Sequence, residues 1–326
     1  MTQKILFCCN FYPPHFIGGA EVIAHRQAQS LQDIGHEVFI FCGLHNQSAK
    51  QYKLCEEEFE GIKVFRVVLH AEDFAIGKNF SNSFIDNLFE EVLETVKPSV
   101  VHFHNLIGLS LGLIDKAHQK RIPTALTLHD YWGFCFKNTL LKVDEQVCQD
   151  LVQCQHCQPE IVNDDNQRLH IRLRRDYIVR QLNKVNRLIS PSSYLAKIYN
   201  QAEFSQKQIS VISNGIDSSR FTNTQKKKKR NAAVLEFTFI GHLGFHKGVH
   251  ILLDSIKQLH QKNILGASCK FNIVGSGSMD TAVREVVQSY SLTKGVKIWG
   301  KVPRSQIKVV FENTDILVVT SVLPEN

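Results

Sequence analysis

Residues 239–248 read FIGHLGFHKG. A largely apolar run over 235–240 stops at Gly241, and a short turn follows with His242, Leu243, Gly244, Phe245, His246 and Lys247. Gly248 then opens a stretch in which Val249, Leu252, Leu253, Ile256 and Leu259 recur at helical spacing. The order is strand, glycine turn, helix. Such a turn aims backbone N–H groups and the positive end of a helix dipole at one spot, where anions and above all phosphates bind. Lys247 adds a full positive charge there. The simpler alternative is an ordinary α/β turn with a solvated lysine.

The same alternation extends to both sides. Downstream, a strand over 269–274 leads into Gly275-Ser276-Gly277-Ser278, followed by a helix over 279–290, a strand over 296–299, a helix over 304–312 and a strand over 316–320. Gly275 and Gly277 fall short of a dinucleotide fingerprint, because the third glycine would fall at Asp280 and no acid stands at a strand end about 20 residues on. Upstream, a strand over 4–9 runs into Pro13, Pro14, Gly18, Gly19 and Glu21, then a helix over 22–33 and a strand over 36–42. That is a βαβ opening. A strand over 64–68, a helix over 82–96, strands over 99–104 and 123–128 and a helix over 106–120 continue the pattern. Two strands therefore end in histidines, His102 and His104 in one and His129 in the other. Ligands bind at that edge of open parallel sheets. His102 and His104 read better as core or loop histidines held by hydrogen bonds. The spacing of Leu169, Leu173 and Tyr177 predicts a long helix over 161–182, with Arg168, Arg172 and Arg175 on another face. A strand over 185–189, a Ser-Pro-Ser-Ser cap before 194–199 and a strand over 209–212 complete the first half.

The composition sets bounds on these elements. At 326 residues, two domains are expected. A hydrophobic share of 43% suffices for two cores and argues against disorder. The 38 basic and 31 acidic residues leave a charge of +7, which suits an anionic substrate or anionic membrane surface without calling for nucleic acid. No run approaches the roughly 18 apolar residues of a membrane span, and the N-terminus does not read as a signal peptide. A reducing cytoplasm is the expected location. The run KKKKR over 226–230 reads as a solvated linker.

Among the nine cysteines, Cys135, Cys148, Cys154 and Cys157 form a C-x12-C-x5-C-x2-C pattern. Four thiolates with one C-x2-C pair can hold a structural zinc ion, which would order a polar stretch that a core cannot. The alternative is four reduced cysteines on a loop.

Several of these motifs, in this order, resemble family-4 retaining glycosyltransferases of the GT-B fold. Residues 241–248 are similar to the family's donor-phosphate turn, with Lys247 at the position of its diphosphate-holding lysine and His242 where it has arginine. Gly18-Gly19 resembles its N-terminal glycine loop, TLHDYW its motif that places a histidine (here His129) beside the transferred sugar, and Gly275-Ser276-Gly277 its second glycine segment. The stretch 213–217 resembles its passage between domains. Glu325 matches the first glutamate of an E-x7-E motif around the donor. The resemblance implies an α/β fold of two Rossmann-like domains facing a cleft. An acceptor-side domain would span 1–214 with a cysteine insertion at 135–160, a linker 215–230, and a donor-binding domain 231–326 that is incomplete because the second glutamate would lie past Asn326. It implies transfer of a sugar, with retention and no catalytic metal, from a UDP- or GDP-sugar to a glycan or lipid-linked acceptor at the cytoplasmic side of a membrane, in polysaccharide or glycoconjugate synthesis. His129, Lys247 and Glu325 would be catalytic; Gly18, Gly19, His242, Gly275 and Gly277 would line the donor. Truncation makes an inactive binding scaffold the main alternative, ahead of a nicotinamide dehydrogenase.

Overall fold

The computed structural model describes residues 2–16, 18–142, 144–152, 154–163, 166–204, 207–216, 234–303 and 306–323. The basic run 226–230, most of the linker and Glu325 lie outside them. The chain divides into two units, one up to Gly215 apart from residues 144–147, the other from Ile216 onward.

The first unit contains, in order, β1 (Lys4–Cys9), α1 (Gly19–Asp33), β2 (Glu37–His45), β3 (Leu54–Phe59), β4 (Ile62–Leu69), α2 (Ser83–Val96), β5 (Val100–Phe103), α3 (Gly112–Gln119), β6 (Thr124–Thr127), β7 (Glu160–Val162), β8 (Arg168–His170), α4 (Arg172–Leu182), β9 (Arg187–Ser190), α5 (Ser193–Gln201) and β10 (Ile209–Val211). Its main sheet runs β10-β9-β6-β5-β1-β2-β4-β3. Every neighbouring pair is parallel except β3 with β4. β1 shows why these residues make a central strand: the five residues after Lys4 in KILFCC are all buried, as a parallel strand covered on both faces requires. Helix starts follow local chemistry. The Asn82 side chain accepts from the N–H groups of Phe84 and Ile85 at the head of α2, and Ser192 Oγ accepts from Leu195 N–H at the head of α5. The chain builds outward from β1 in one direction through β2 and β4, and in the other through β5, β6, β9 and β10. The topological switch point therefore lies between β1 and β5, and a ligand crevice is expected outside their C-terminal ends.

The second unit contains β11 (Leu235–Ile240), α6 (Val249–Gln261), β12 (Cys269–Val274), α7 (Asp280–Ser289), β13 (Val296–Gly300), α8 (Ile307–Glu312) and β14 (Ile316–Leu317). Its sheet runs β13-β12-β11-β14, all parallel. The periodic residues Val249, Leu252, Leu253 and Ile256 of α6 are buried with Phe239, Phe271 and Ile273 of the strands in one core. Burying each such side chain fully contributes about 1.5–3 kcal/mol. Here the switch point falls between β11 and β14.

Two expectations change, and one strand was not expected. Residues 161–182 are not one helix: β7 and β8 form an antiparallel hairpin, and α4 begins only at Arg172. Asn163 closes that hairpin by accepting from Gln167 N–H at 2.8 Å, and Asn166 takes φ 58°, so asparagine turn chemistry overrides the four-residue apolar spacing. The helix expected over 106–120 forms only from Gly112. β3, with its acidic LCEEEF sequence, went unread as a strand, although its pairing with β4 is continuous from Leu54 to Phe59.

Candidate active site

In the second unit, three backbone segments meet at the switch point. Gly241 N–H donates to Val274 O at 3.0 Å, Leu243 N–H to Ser276 O at 3.0 Å and Met279 N–H to Leu243 O at 2.8 Å. The loops after β11 and β12 are thereby zipped together. Gly275 sits at φ 139°, and a Cβ there would lie 1.8 Å from Gly241 O. Gly248 sits at φ 66°, where a Cβ would lie 1.8 Å from Thr320 O. Only glycine permits both the angles and the contacts. Gly277 packs the same way, against Leu243 O. These glycines shape the turn by letting backbones touch.

Lys247 ends a 3-10 turn, Phe245–Lys247, directly before α6. Its carbonyl accepts from Thr320 Oγ1 at 2.8 Å, and Val322 N–H donates to His246 O at 3.1 Å, so the segment after β14 braces the turn. The first N–H groups of α6 have no acceptor within their own helix. Together with the dipole and the half-buried lysine they favour a phosphate. His242 is exposed, with its ring 5.6 Å from that of His246 at 26°. Position 242 therefore presents a stacked imidazole at the turn.

In the first unit, the switch-point edge carries a row of histidines. His102 and His104 have ring centroids 4.5 Å apart, and His104 and His129 5.0 Å at 18°. Phe7 of β1 packs on the first two. His104 Nδ1 lies 2.7 Å from His129 Nε2, and His102 Nε2 lies 2.8 Å from Thr127 Oγ1. One histidine of the first pair must donate and the other accept, so the pair fixes a complementary set of tautomers. Burial, and secondarily the neighbouring His129, pushes His102 down to about 4; burial alone pushes His129 down to about 4. His104 is held well below its ordinary value by burial and then by its two neighbours. The row is neutral at neutral pH. His129 thus offers hydrogen bonding and shape, not charge.

Asp130 follows His129 and is half-buried. Its Oδ2 accepts from Asn105 Nδ2 and Asn138 Nδ2, both at 2.9 Å, and its Oδ1 accepts from Trp132 N–H at 3.1 Å. Tyr199 OH donates to Asp130 O at 3.0 Å. Burial pushes its carboxyl up to about 6 against those donors, and the buried Glu21 adds to the rise. Glu21 in turn accepts from Gly18 N–H at 3.1 Å. Gly18 therefore spends its N–H on the helix start, while a Cβ at Gly19 would meet open space. The edge is a rigid polar frame around His129. Sequence reading reached His129, Gly18 and Gly19 but missed Asn105, Asp130, Asn138 and Tyr199. The adjacency of Asp130 to His129 was the one available signal.

The four loop cysteines are reduced and half-buried. Cys148 Sγ donates to Asp150 O at 3.0 Å and Cys154 Sγ to Phe134 O at 3.2 Å. Among the described residues, no group of three or more His, Cys, Asp or Glu stands ready-formed to hold a metal ion. Among them, too, no helix is long and apolar enough to cross a membrane.

An open parallel α/β sheet with a phosphate-suited glycine turn at its switch point defines a nucleotide-binding class of fold. The comparisons narrow it. Residues 17–220 match the model of Glycosyltransferase Family 4, and residues 220–326 that of Glycosyl transferases group 1. The chain belongs to glycosyltransferase family 4. It is 26% identical to a putative colanic acid biosynthesis glycosyltransferase, WcaL of Escherichia coli, over 36% of this chain and 28% of that protein. It is 23% identical to the phosphatidylinositol N-acetylglucosaminyltransferase GPI3 subunit of Saccharomyces cerevisiae, over 97% of this chain and 62% of that one. The chain thus spans less than two thirds of either relative. Among solved structures it resembles starch synthase IV of Arabidopsis thaliana (TM-score 0.63, 14% identity, 99% of this chain and 79% of that one). It also resembles HepE of Anabaena in complex with UDP and glucose (TM-score 0.60, 17% identity, 99% and 75%). These likenesses establish the GT-B fold.

Proposed function

We infer that the chain is the donor- and acceptor-binding part of a retaining glycosyltransferase that moves a sugar from a nucleotide diphosphate sugar to a hydroxyl group. The observation that carries this reading is the zipped glycine turn with Lys247 at the head of α6, since it concentrates positive potential at one point. The reaction breaks the bond between the sugar's anomeric carbon and the diphosphate, which leaves with an additional negative charge. Lys247 and the α6 N-terminus would stabilise that charge as it develops. The acceptor oxygen forms the new bond on the same face, and its proton passes to the departing phosphate. Neutral His129, held by His104, would orient the sugar. His242 would meet the diphosphate beside Lys247, and Glu325 would contact the donor sugar. HepE was solved with UDP and glucose, which supports a UDP-sugar, with a GDP-sugar second. The names of the WcaL and GPI3 relatives, a polysaccharide in one and a phosphatidylinositol in the other, support a glycan or lipid-linked acceptor. Incubation with a panel of UDP-, GDP- and ADP-sugars and lipid-linked acceptors tests the reading. Release of nucleoside diphosphate with a glycosylated product of unchanged anomeric configuration is expected. An inverted product refutes retention, and binding of NAD alone refutes the function.

A further inference from the structure

The tight turn that joins β3 to β4 carries a residue it does not favour. Phe59 pairs with Ile62, which leaves Glu60 and Gly61 at the tip, with φ 49° and 76°. A hairpin turn with two positive φ values prefers asparagine, aspartate or glycine at its first position. A glutamate in the left-handed region is uncommon and gains nothing locally. Its carboxylate is used at a distance. Glu60 Oε2 lies 3.0 Å from His25 Nε2 and accepts from Gln29 Nε2 at 2.6 Å, both on α1. From the same helix, Gln32 Nε2 donates to Gly61 O at 2.8 Å. The other ring nitrogen of His25, Nδ1, lies 2.7 Å from the hydroxyl of the fully buried Tyr12. Glu60, His25 and Tyr12 therefore tie the hairpin tip to the segment that leaves β1.

A second tie reaches that segment from inside the sheet. Arg66 of β4 is fully buried. Its Nη1 donates to Tyr12 O at 2.9 Å and its Nη2 to Pro13 O at 2.6 Å, while Nε pairs with Glu57 of β3. Cys55 is the partner of Arg66 across the two strands, and Glu57 stands two residues on, hence on the same face. A buried guanidinium is costly unless paired and hydrogen-bonded, and β3 supplies the carboxylate. Tyr12 and Pro13 are the last buried residues before an exposed tip, in which Pro14, His15, Phe16, Gly18 and Gly19 all face solvent. At the far end, Gly18 N–H donates to Glu21 Oε2 at 3.1 Å. The tip is anchored on both sides, beside the switch point between β1 and β5.

We propose that Arg66 and His25 are positioning residues for sugar transfer, which hold the tip carrying Gly18 and Gly19 at the switch-point edge, with the acidic β3–β4 hairpin as their brace through Glu57 and Glu60. The role rests on the glycosyltransferase reading above. These side chains need touch no reacting atom. They act through the carbonyls of Tyr12 and Pro13 and the hydroxyl of Tyr12. A displacement of about 1 Å in a group that faces the reaction is enough to slow it about a hundredfold.

Glu60→Asn separates positioning from plain stabilisation, because asparagine suits the turn but is one methylene too short to keep the bond to His25. Its Tm should be unchanged or higher. Amide hydrogen exchange in peptides covering residues 10–18, where His15 N–H is bonded to Tyr12 O, should nevertheless speed up about tenfold or more, with β5 unaffected. With saturating donor and acceptor from the panel above, kcat should fall about fivefold or more, while the dissociation constant of the matching nucleoside diphosphate, set by the turn at Lys247, changes less than about twofold. Arg66→Lys keeps the charge but loses the fork that spans two carbonyls, and should lower kcat further; should it fail to fold, Glu60→Asn decides alone. Unchanged exchange over residues 10–18 in Glu60→Asn overturns the brace. Faster exchange with an unaltered kcat overturns the positioning role. Absence of turnover by the unaltered chain overturns the functional reading instead, and the exchange result then still decides the brace.

Discussion

Replacing His102 by glutamine isolates the energetic consequence of the neutral histidine row. Glutamine can keep a hydrogen bond to Thr127 Oγ1, which now lies 2.8 Å from His102 Nε2, but it cannot titrate. Folding lowers the His102 pKa from 6.5 to about 4, so between those values the unfolded state binds more protons than the folded one. Stability from this histidine is therefore fully present above the unfolded value and is lost as pH falls from about 6.5 towards 4. Going from about pH 7.5 to about pH 5, the loss works out at about 2 kcal/mol for this one side chain. That is a sizeable part of the 5–15 kcal/mol that holds a typical domain. Burial raises Asp130 and Asp86 to about 6, and these oppose the trend, since they favour the folded state as pH falls through that value. They are common to both proteins and cancel in the difference. Urea unfolding should be followed by Trp132 fluorescence in a Trp299→Phe background, because the chain has two tryptophans, one in each unit. His102→Gln should lose about 2 kcal/mol less than the unaltered chain over this pH range. Identical pH profiles would refute the claim that burial keeps the row neutral.

Two further outcomes follow from the geometry. Gly275→Ala should unfold or severely destabilise the second unit, by more than about 3 kcal/mol, because neither the positive φ nor the contact with Gly241 O can be relieved locally; Trp299 fluorescence in a Trp132→Phe background measures it. Asp130→Asn should destabilise the first unit by about 1–3 kcal/mol, since its new amide would face the donors Asn105 Nδ2 and Asn138 Nδ2; a Tm equal to that of the unaltered chain would contradict this.

The turn at 239–248 was legible because each local signal agreed there: a strand ending at a glycine, a lysine, and apolar residues at helical spacing whose burial the structure bears out. Strands such as β1 and β12 were legible as short apolar runs covered on both faces. What escaped reading depends on contacts distant in sequence. Asn105 and Asp130 are 25 residues apart and meet only because β5 and β6 are neighbours. Arg66, within the strand expected over 64–68, is fully buried, pairing with Glu57 and donating to Tyr12 O at 2.9 Å and Pro13 O at 2.6 Å, partners that local sequence does not announce. It thereby holds the loop after β1 in place. The acidic β3 escaped because an edge strand can pair along one side while burying little: none of its residues is fully buried, and Glu56, Glu57 and Glu58 all stay exposed. The false helix over 161–182 shows a periodic pattern outweighed by asparagine turn chemistry.

The central claim is that Lys247 and the head of α6 receive the donor diphosphate. Isothermal titration of the chain with UDP, GDP and ADP, repeated on Lys247→Ala, tests it most directly. Saturable binding of at least one nucleoside diphosphate is expected, weakened about tenfold or more by the substitution, in line with the 1.5–3 kcal/mol of a charge-assisted hydrogen bond. A dissociation constant that Lys247→Ala leaves unchanged would contradict the account.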